Sequence, residues 1–474
     1  MARTQTESVS EYGVELDENS IAALKAGLHG EIIGPDDPRY EHARKVYNGM
    51  IDKYPRLIVR CADVSDGIST VNFARDNELL LAVRCGGHNG AGLGTCDGGL
   101  VLDLSLMKGI RVDPDSHTVR VEGGCTQQEV NHAASAFGLS VPVGIFSTTG
   151  IGGLTLGGGH GYLTRKYGLA IDNLLEADVV LADGRLVTAS DHENEDLFWA
   201  LRGGGGNFGV VTSFLFQAHP PNLVTAGPMF WEYEQAFEMM QWYRQFSPAA
   251  PGDIYGFFAL MNIPPAPPFP ENLHGRNVCG IFWCHLGSAE QAEKDLADVR
   301  RSHPPLFELT GRMPHTALLS MFDPLLPPGL QWYWKGDFFR QISDEAIVQH
   351  LKYSSQRPTM LSTTHLYPID GQANRIAPDA TAFSYRDAKW SMVIAGIDPD
   401  PVNNEPMTNW AREYWAALHP YSAGGAYVNF MMEEGFDRIR ATYRDNYDRL
   451  VSVKARYDPD NLFRVNQNIK PQPS

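Results

Sequence analysis

The chain has 474 residues, 43% hydrophobic and 20% charged, with 39 basic side chains against 56 acidic ones and a formal charge of −17. Such a length implies two or three lobes rather than one core, and the acidic balance opposes binding to nucleic acid or to an anionic membrane face. No apolar run reaches the roughly 18–20 residues that cross a bilayer. The first twenty residues lack the charged start and apolar core of a secretory signal, and six cysteines are too sparse for a disulfide scaffold. A cytoplasmic, reduced protein is expected.

In chain order, some thirty residues of leader are expected to pack on the surface. "RLIVRCA" then reads as a strand, Asp66 to Asn77 as a helix and "LLLAVR" as a second strand. "GGLVLDLS", "GIRVD" and "HTVRVEGG" follow as short strands. The next helix opens with a capping box, Thr126 to Glu129, and stops at Gly138. "EADVVLADGRLVTA" predicts a hairpin with Asp183-Gly184 at its tip. Near residue 215 the texture changes, as Pro, Met and aromatic residues replace the glycine clusters. Strands such as "NVCGIFWCHLG" and "AKWSMVIAG" alternate with helices such as "SAEQAEKDLADVRR" and "SDEAIVQHLKYSS", which predicts an antiparallel sheet with helices on one face. From about Asp437 a final helix is expected to run to just before Pro459.

Glycine is concentrated in three places: "CGGHNGAGLG" after Arg84, "GIGGLTLGGGHGYLTRKYG" from Gly150, and "GGGGNFG" from Gly203. Without side chains in the way, backbone N–H groups can approach and point at an anion. Three such clusters within about 130 residues suggest a long, phosphate-bearing ligand. No P-loop is present, and Gly204 to Gly209 matches G-x-G-x-x-G in the wrong context, because it follows a helix and precedes a strand. Cys279, Cys284 and His285 lie close in sequence, but a strand sends the two cysteines to opposite faces. HExxH and G-x-S-x-G are also missing. No metal site is expected.

The ordered series "VRCGGHN", "GIGGLTLGGGHGYLTRKYGLAIDNLLEADVVLADG" and "DLFWALRGGGGNFGVVTSF" resembles the FAD-binding lobe of the berberine bridge enzyme-like oxidases, within the vanillyl-alcohol oxidase type flavoproteins. The ending, from "AYVNFMMEE" to "NLFRVNQNI", is similar to that family's C-terminal segment. The resemblance implies an α+β protein, with a two-lobed FAD-binding domain of the PCMH type over residues 1–215. A substrate domain over 216–430 and a C-terminal segment over 431–474 returning to the FAD lobe complete it.

It also implies site residues. Arg84, Cys85, Gly86, Gly87, His88 and Asn89 would wrap the FAD pyrophosphate, with His88 bonded covalently to the flavin. Relatives with a second tether have a Cys where this chain has Phe146, so a single histidyl link is implied; Cys125 is a conceivable substitute and otherwise a small buried residue. Thr149 stands where relatives control oxygen access. Gly150, Gly152, Gly153 and the run Gly157, Gly158, Gly159 would pass beside the flavin and phosphates. The backbone around Asn207, Gly209 and Val210 would approach the adenosine half, and Asn466 would return to the flavin.

The chemistry implied is hydride transfer from an alcohol, phenolic or amine C–H to FAD, followed by reoxidation with O2 to give H2O2. Tyr427 in "YVN" is read as base, substrate orienter or core aromatic, since a phenol of pKa about 10 is a poor base unless its surroundings depress it. Asn429 and Tyr385 are the other catalytic candidates. Trp283, Trp332, Trp334, Phe257, Phe258, Met261 and Phe339 suggest an apolar or aromatic substrate cleft. A lactone-forming sugar oxidase, a dehydrogenase that avoids oxygen and a non-catalytic FAD-binding protein stand as alternatives.

Overall fold

The computed structural model describes residues 16–472; the first half of the expected leader lies outside them. A helix, Glu18–Gly27, starts on the Asp17 side chain, which accepts from the Ser20 N–H. Leu24 on its inner face joins the core beneath the helix Val64–Asp76.

Three sheets follow in sequence. The first has four short strands in the order Glu31–Ile33, Leu57–Arg60, Leu100–Asp103 and Leu81–Arg84. Its first pair is antiparallel and the other two pairs are parallel. Parallel pairing needs a crossover, and Val64–Asp76 supplies it, carrying the chain from Leu57–Arg60 to Leu81–Arg84. The second sheet is antiparallel, in the order Ile110–Asp113, Thr118–Glu122, Val210–Gln217, Leu174–Val180 and Leu186–Ser190. Its last two strands form the expected hairpin. The helix Gln127–Ser135 carries the capping box, with Thr126 and Glu129 each bonding the other's backbone N–H.

The third sheet is a large antiparallel one built from residues 223–398. Both its faces are buried. Trp231, Phe258, Ile281, Trp283, Phe339 and Trp390 face four helices, Ala236–Ala249, Ala289–Ser302, Asp344–Ser354 and Asn404–Leu418. Phe257, Phe282, Tyr367 and Val393 face the lobe built on the first two sheets. The strand Asn277–His285 divides as period-two geometry requires, with Cys279 in the helix-side core and Cys284 in the other. Two buried ion pairs tie the lobes together, Arg165 to Asp370 at 2.8 Å and Arg386 to Asp172 at 2.7 Å.

The expected last helix is two helices, Phe436–Tyr443 and Tyr447–Tyr457. The break is at Arg444, whose φ is +47°. Its guanidinium leaves the helical path to lie 3.5 Å above the Tyr385 ring and to bond Asp387. Beyond it Lys454 is wholly buried, donating to the carbonyls of Asn207 and Phe463 and to Asp458. Asp458 in turn accepts from the backbone N–H groups of Leu462 and Phe463. A buried cation persists only when its charge is met this fully, so this cluster fixes the C-terminal strand of chain against the third glycine cluster.

Candidate active site

Where the three sheets meet lies a cavity of about 290 Å³. One wall is backbone from the glycine clusters and the other is aromatic.

Arg84 ends its strand opposite Asp103 and pairs with it at 2.7 Å, buried. Its charge therefore anchors the root of the loop rather than meeting a phosphate. Gly87 takes φ +66°, and a Cβ on Gly86 would stand 2.4 Å from the Gly150 nitrogen, so the first two glycine clusters touch backbone to backbone. Asn89 closes the loop by accepting from the Leu93 N–H. His88 is half-buried on the cavity wall, stacked on Tyr47 with ring centroids 3.8 Å apart. Thr148 Oγ1 lies 2.9 Å from its Nε2 and Thr149 Oγ1 3.4 Å from its Nδ1. Burial pushes the imidazole pKa down to about 3, so the ring is neutral and keeps a nucleophilic lone pair at physiological pH.

Cys85, Phe146, Thr149, Gly150, Gly152 and Gly153 also line the cavity. Phe146 packs on Phe322. Cys125 is fully buried in the core with its thiol on the Met107 and Gly109 carbonyls, away from the cavity wall. Asn207, Gly209 and Asn466 line the far end. Asn207 is held by the Gly204 and Gln467 carbonyls and the Ile469 N–H, and Asn466 donates to the Gly206 carbonyl.

Other expected assignments change or sharpen. Gly157, Gly158 and Gly159 are not on the cavity wall; they sit behind it, where a Cβ on Gly157 would overlap the Asn429 amide and the Gly159 N–H donates to the Tyr427 hydroxyl. Their absent side chains make room for the candidate catalytic pair. The Val210 side chain faces the core of the first sheet, while its neighbours Gly209 and Val211 line the cavity. Tyr385 is outside the cavity: it stacks on Phe338 under Arg444, and its hydroxyl donates to the Ala441 and Ala423 carbonyls. Among the aromatic residues expected in the cleft, Trp332 and Trp334 reach it, while Trp283, Phe257, Phe258, Met261 and Phe339 pack in cores.

Tyr427 and Asn429 do stand together. The Asn429 amide donates to the Tyr427 oxygen at 2.9 Å and to the carbonyls of Gly153 and Leu154. Two donors on a phenol oxygen favour its anion, yet burial outweighs them and pushes the pKa up to about 12. Tyr427 is thus a neutral phenol whose own proton is left for a ligand.

Sequence reasoning passed over His160, although "GGGHG" repeats the sign that exposed His88, an imidazole among glycines. His160 is buried on the cavity wall against Tyr427, Tyr367 and Phe430. Tyr367 also lines the cavity, its hydroxyl 2.6 Å from His365 Nδ1.

The wall fits a flavin dinucleotide. A Cβ on Gly153 or Gly206 would meet no protein atom within 4 Å, so their backbone faces open space. Asn466 Oδ1, the indole nitrogens of Trp332 and Trp334 and both ring nitrogens of His160 are buried without partners. Unpaired buried polar atoms are costly, and a ligand carrying both donors and acceptors satisfies them.

A family model described as "FAD binding domain" matches residues 55–190, and one described as "Berberine and berberine like" matches residues 426–470. The fold and site define an FAD-dependent oxidoreductase. An FAD-linked oxidoreductase of Dictyostelium discoideum is 31% identical over 91% of this chain and 92% of its own length. The (R)-6-hydroxynicotine oxidase of Paenarthrobacter nicotinovorans is 30% identical over 96% of this chain and all of its own. A xylooligosaccharide oxidase of Thermothelomyces thermophilus is 28% identical over 90% of this chain and 89% of its own. The crystal structure of 6-hydroxy-D-nicotine oxidase from Arthrobacter nicotinovorans superposes with a TM-score of 0.83 at 28% identity, over 94% of this chain and 98% of that one. The chain belongs to the berberine bridge enzyme-like family of FAD-linked oxidoreductases.

Proposed function

We propose that this enzyme oxidises a neutral, apolar or aromatic alcohol, phenol or amine, with FAD tethered through His88 alone and O2 as the acceptor that yields H2O2. One observation carries the substrate class: Arg84 is the one charged side chain on the cavity wall among the described residues, and Asp103 pairs with it. A substrate ion would find no counter-charge there, whereas Trp332, Trp334, Phe430 and Tyr367 offer apolar faces. The relative named for 6-hydroxynicotine supports the aromatic part of this reading, since that molecule carries a heteroaromatic ring.

Bound in the cavity, FAD supplies a two-electron acceptor for hydride. The glycine N–H groups would hold its diphosphate without a cation, and neutral His88 would be the tether. Phe146 leaves no thiol for a second link at its position. Tyr427, protonated and fixed by Asn429 and Gly159, orients a substrate oxygen or nitrogen as a donor. A reducing, cytoplasmic location is proposed on the six cysteines, all of them unpaired.

Acid precipitation of the purified protein tests the tether. Yellow colour should remain in the pellet and pass to the supernatant in His88→Ala; release from the wild type refutes a covalent link. A panel of aromatic alcohols, phenols, cyclic amines and xylo-oligosaccharides, read by anaerobic flavin bleaching and then by peroxide, tests substrate and acceptor. Bleaching by the sugars alone would overturn the substrate class, and bleaching without peroxide in air would replace O2 by another acceptor.

A further inference from the structure

We propose that His160 is a substrate-binding residue that selects ligands bearing a hydroxyl or N–H group. The inference deepens the reading above and rests on it.

The argument is one of unused bonding capacity. On the aromatic side of the cavity the unpaired Trp332 and Trp334 indoles are donors only, and the remaining polar groups apart from His160 are already engaged. Tyr367 is bonded to His365, and the Asn429 amide is shared between Tyr427 and two carbonyls of the helix Ile151–Leu156. The Tyr427 oxygen already accepts from Asn429 and Gly159. His160 is different: it is 3% exposed, it lines the cavity, and neither ring nitrogen has a partner. A neutral imidazole always carries one N–H donor and one lone-pair acceptor. Burying both unmet is unfavourable by the cost of two desolvated groups, and a core built only for packing accommodates a phenyl or aliphatic side chain there at no such cost. Burial holds the ring neutral by pushing its pKa down to about 3, so it meets a ligand through hydrogen bonds rather than charge.

Its neighbour sharpens the fit. The His160 and Tyr427 rings lie 4.5 Å apart between centroids. Tyr427 has a proton to give, and the imidazole has a lone pair to receive one. The two rings touch, so a ligand hydroxyl that reaches both polar groups from the cavity accepts from the phenol and donates to the imidazole. A ligand lacking the O–H or N–H proton leaves the imidazole lone pair buried and unmet. Sites that bond a substrate hydroxyl reject the analogue without it far more strongly than apolar pockets reject an extra methylene.

The test uses the flavin-loaded enzyme with two probes of similar shape, 4-methylphenol and 4-methylanisole, titrated anaerobically and followed by perturbation of the flavin spectrum. The wild type should bind the phenol at least tenfold more tightly. In His160→Phe the phenol should weaken about tenfold, the anisole should stay within twofold, and flavin content should be unchanged. His160→Gln, which keeps a donor and an acceptor, should recover part of the preference. Equal affinity of the wild type for both probes, or failure to bind either, overturns the proposal whatever the variants do. So does an intact preference in His160→Phe or, if that variant does not fold, in His160→Met. A colourless protein would instead refute the flavin reading, so the two failures are distinct.

Discussion

The two walls of the cavity are made in opposite ways. The cofactor wall is main chain: Gly86, Gly150, Gly152, Gly153 and Gly206 lie within three short stretches, and their work is to be small. The opposite wall is side chain: Trp332, Trp334, Tyr367, Tyr427 and Phe430 come from strands and turns up to a hundred residues apart. A backbone wall tolerates little change, because any Cβ alters its shape. A side-chain wall can be rewritten residue by residue while the sheet beneath is kept. One scaffold can thus hold a constant cofactor and face a changeable substrate.

The largest predicted effect strikes the backbone wall. In Gly150→Ala the new Cβ would stand 2.3 Å from the Gly86 nitrogen and 2.4 Å from the Cys85 thiol. Overpacking against main chain costs about 3 kcal/mol, so denaturant unfolding should shift by that amount and FAD content should fall below a tenth. Gly153→Ala is the control on the same wall: its Cβ points into open space, so the unfolding midpoint should barely move while FAD content drops. Equal behaviour of the two would break the contrast.

On the side-chain wall the expected effects are on rate. Tyr427→Phe should lower kcat about 10²-fold with flavin retained, measured by stopped-flow bleaching. A change below threefold would remove Tyr427 from the site.

Acid should strike a histidine on the side-chain wall and another in the helix layer behind the third sheet. His160 and His350 are buried and neutral, each pushed down to about 3 by burial, while an unfolded histidine titrates near pH 6.5, so between those values the unfolded chain binds the protons and stability falls as pH falls. Each such histidine costs about 1.4 kcal/mol per pH unit below 6.5. Denaturant midpoints from pH 7 to 4.5 should fall steadily, and His350→Gln should flatten the curve. The smallest effect is Tyr385→Phe, which loses hydrogen bonds to two carbonyls. It should cost about 1 kcal/mol of stability and leave kcat within twofold, in contrast to Tyr427→Phe.

The same contrast explains what the amino-acid string disclosed. The loop from Arg84 to Asn89 and the segment around Gly150 stood out because glycine runs with one imidazole among them show in the string itself, although the contact between the two bare backbones does not. The aromatic wall did not stand out, because the third sheet is buried on both faces. Tyr333 between Trp332 and Trp334 belongs to the helix side, and with apolar residues on either face the period-two pattern has no polar mark to say which side meets the cavity. Tyr385 and Tyr427 looked alike as tyrosines near the end of the substrate domain. What separates them is whether the hydroxyl meets main-chain carbonyls or a cavity, and that depends on the break at Arg444.

The buried Lys454 has a consequence for how the enzyme is born. It clasps Asn207 to a stretch made more than two hundred residues later, and Asn466 and Gln467 finish the far end of the cavity. A nascent chain that has not yet cleared the ribosome through residue 467 lacks that end, however well its earlier sheets have formed. Loading of the coenzyme is therefore expected only once residues 454–467 are in place.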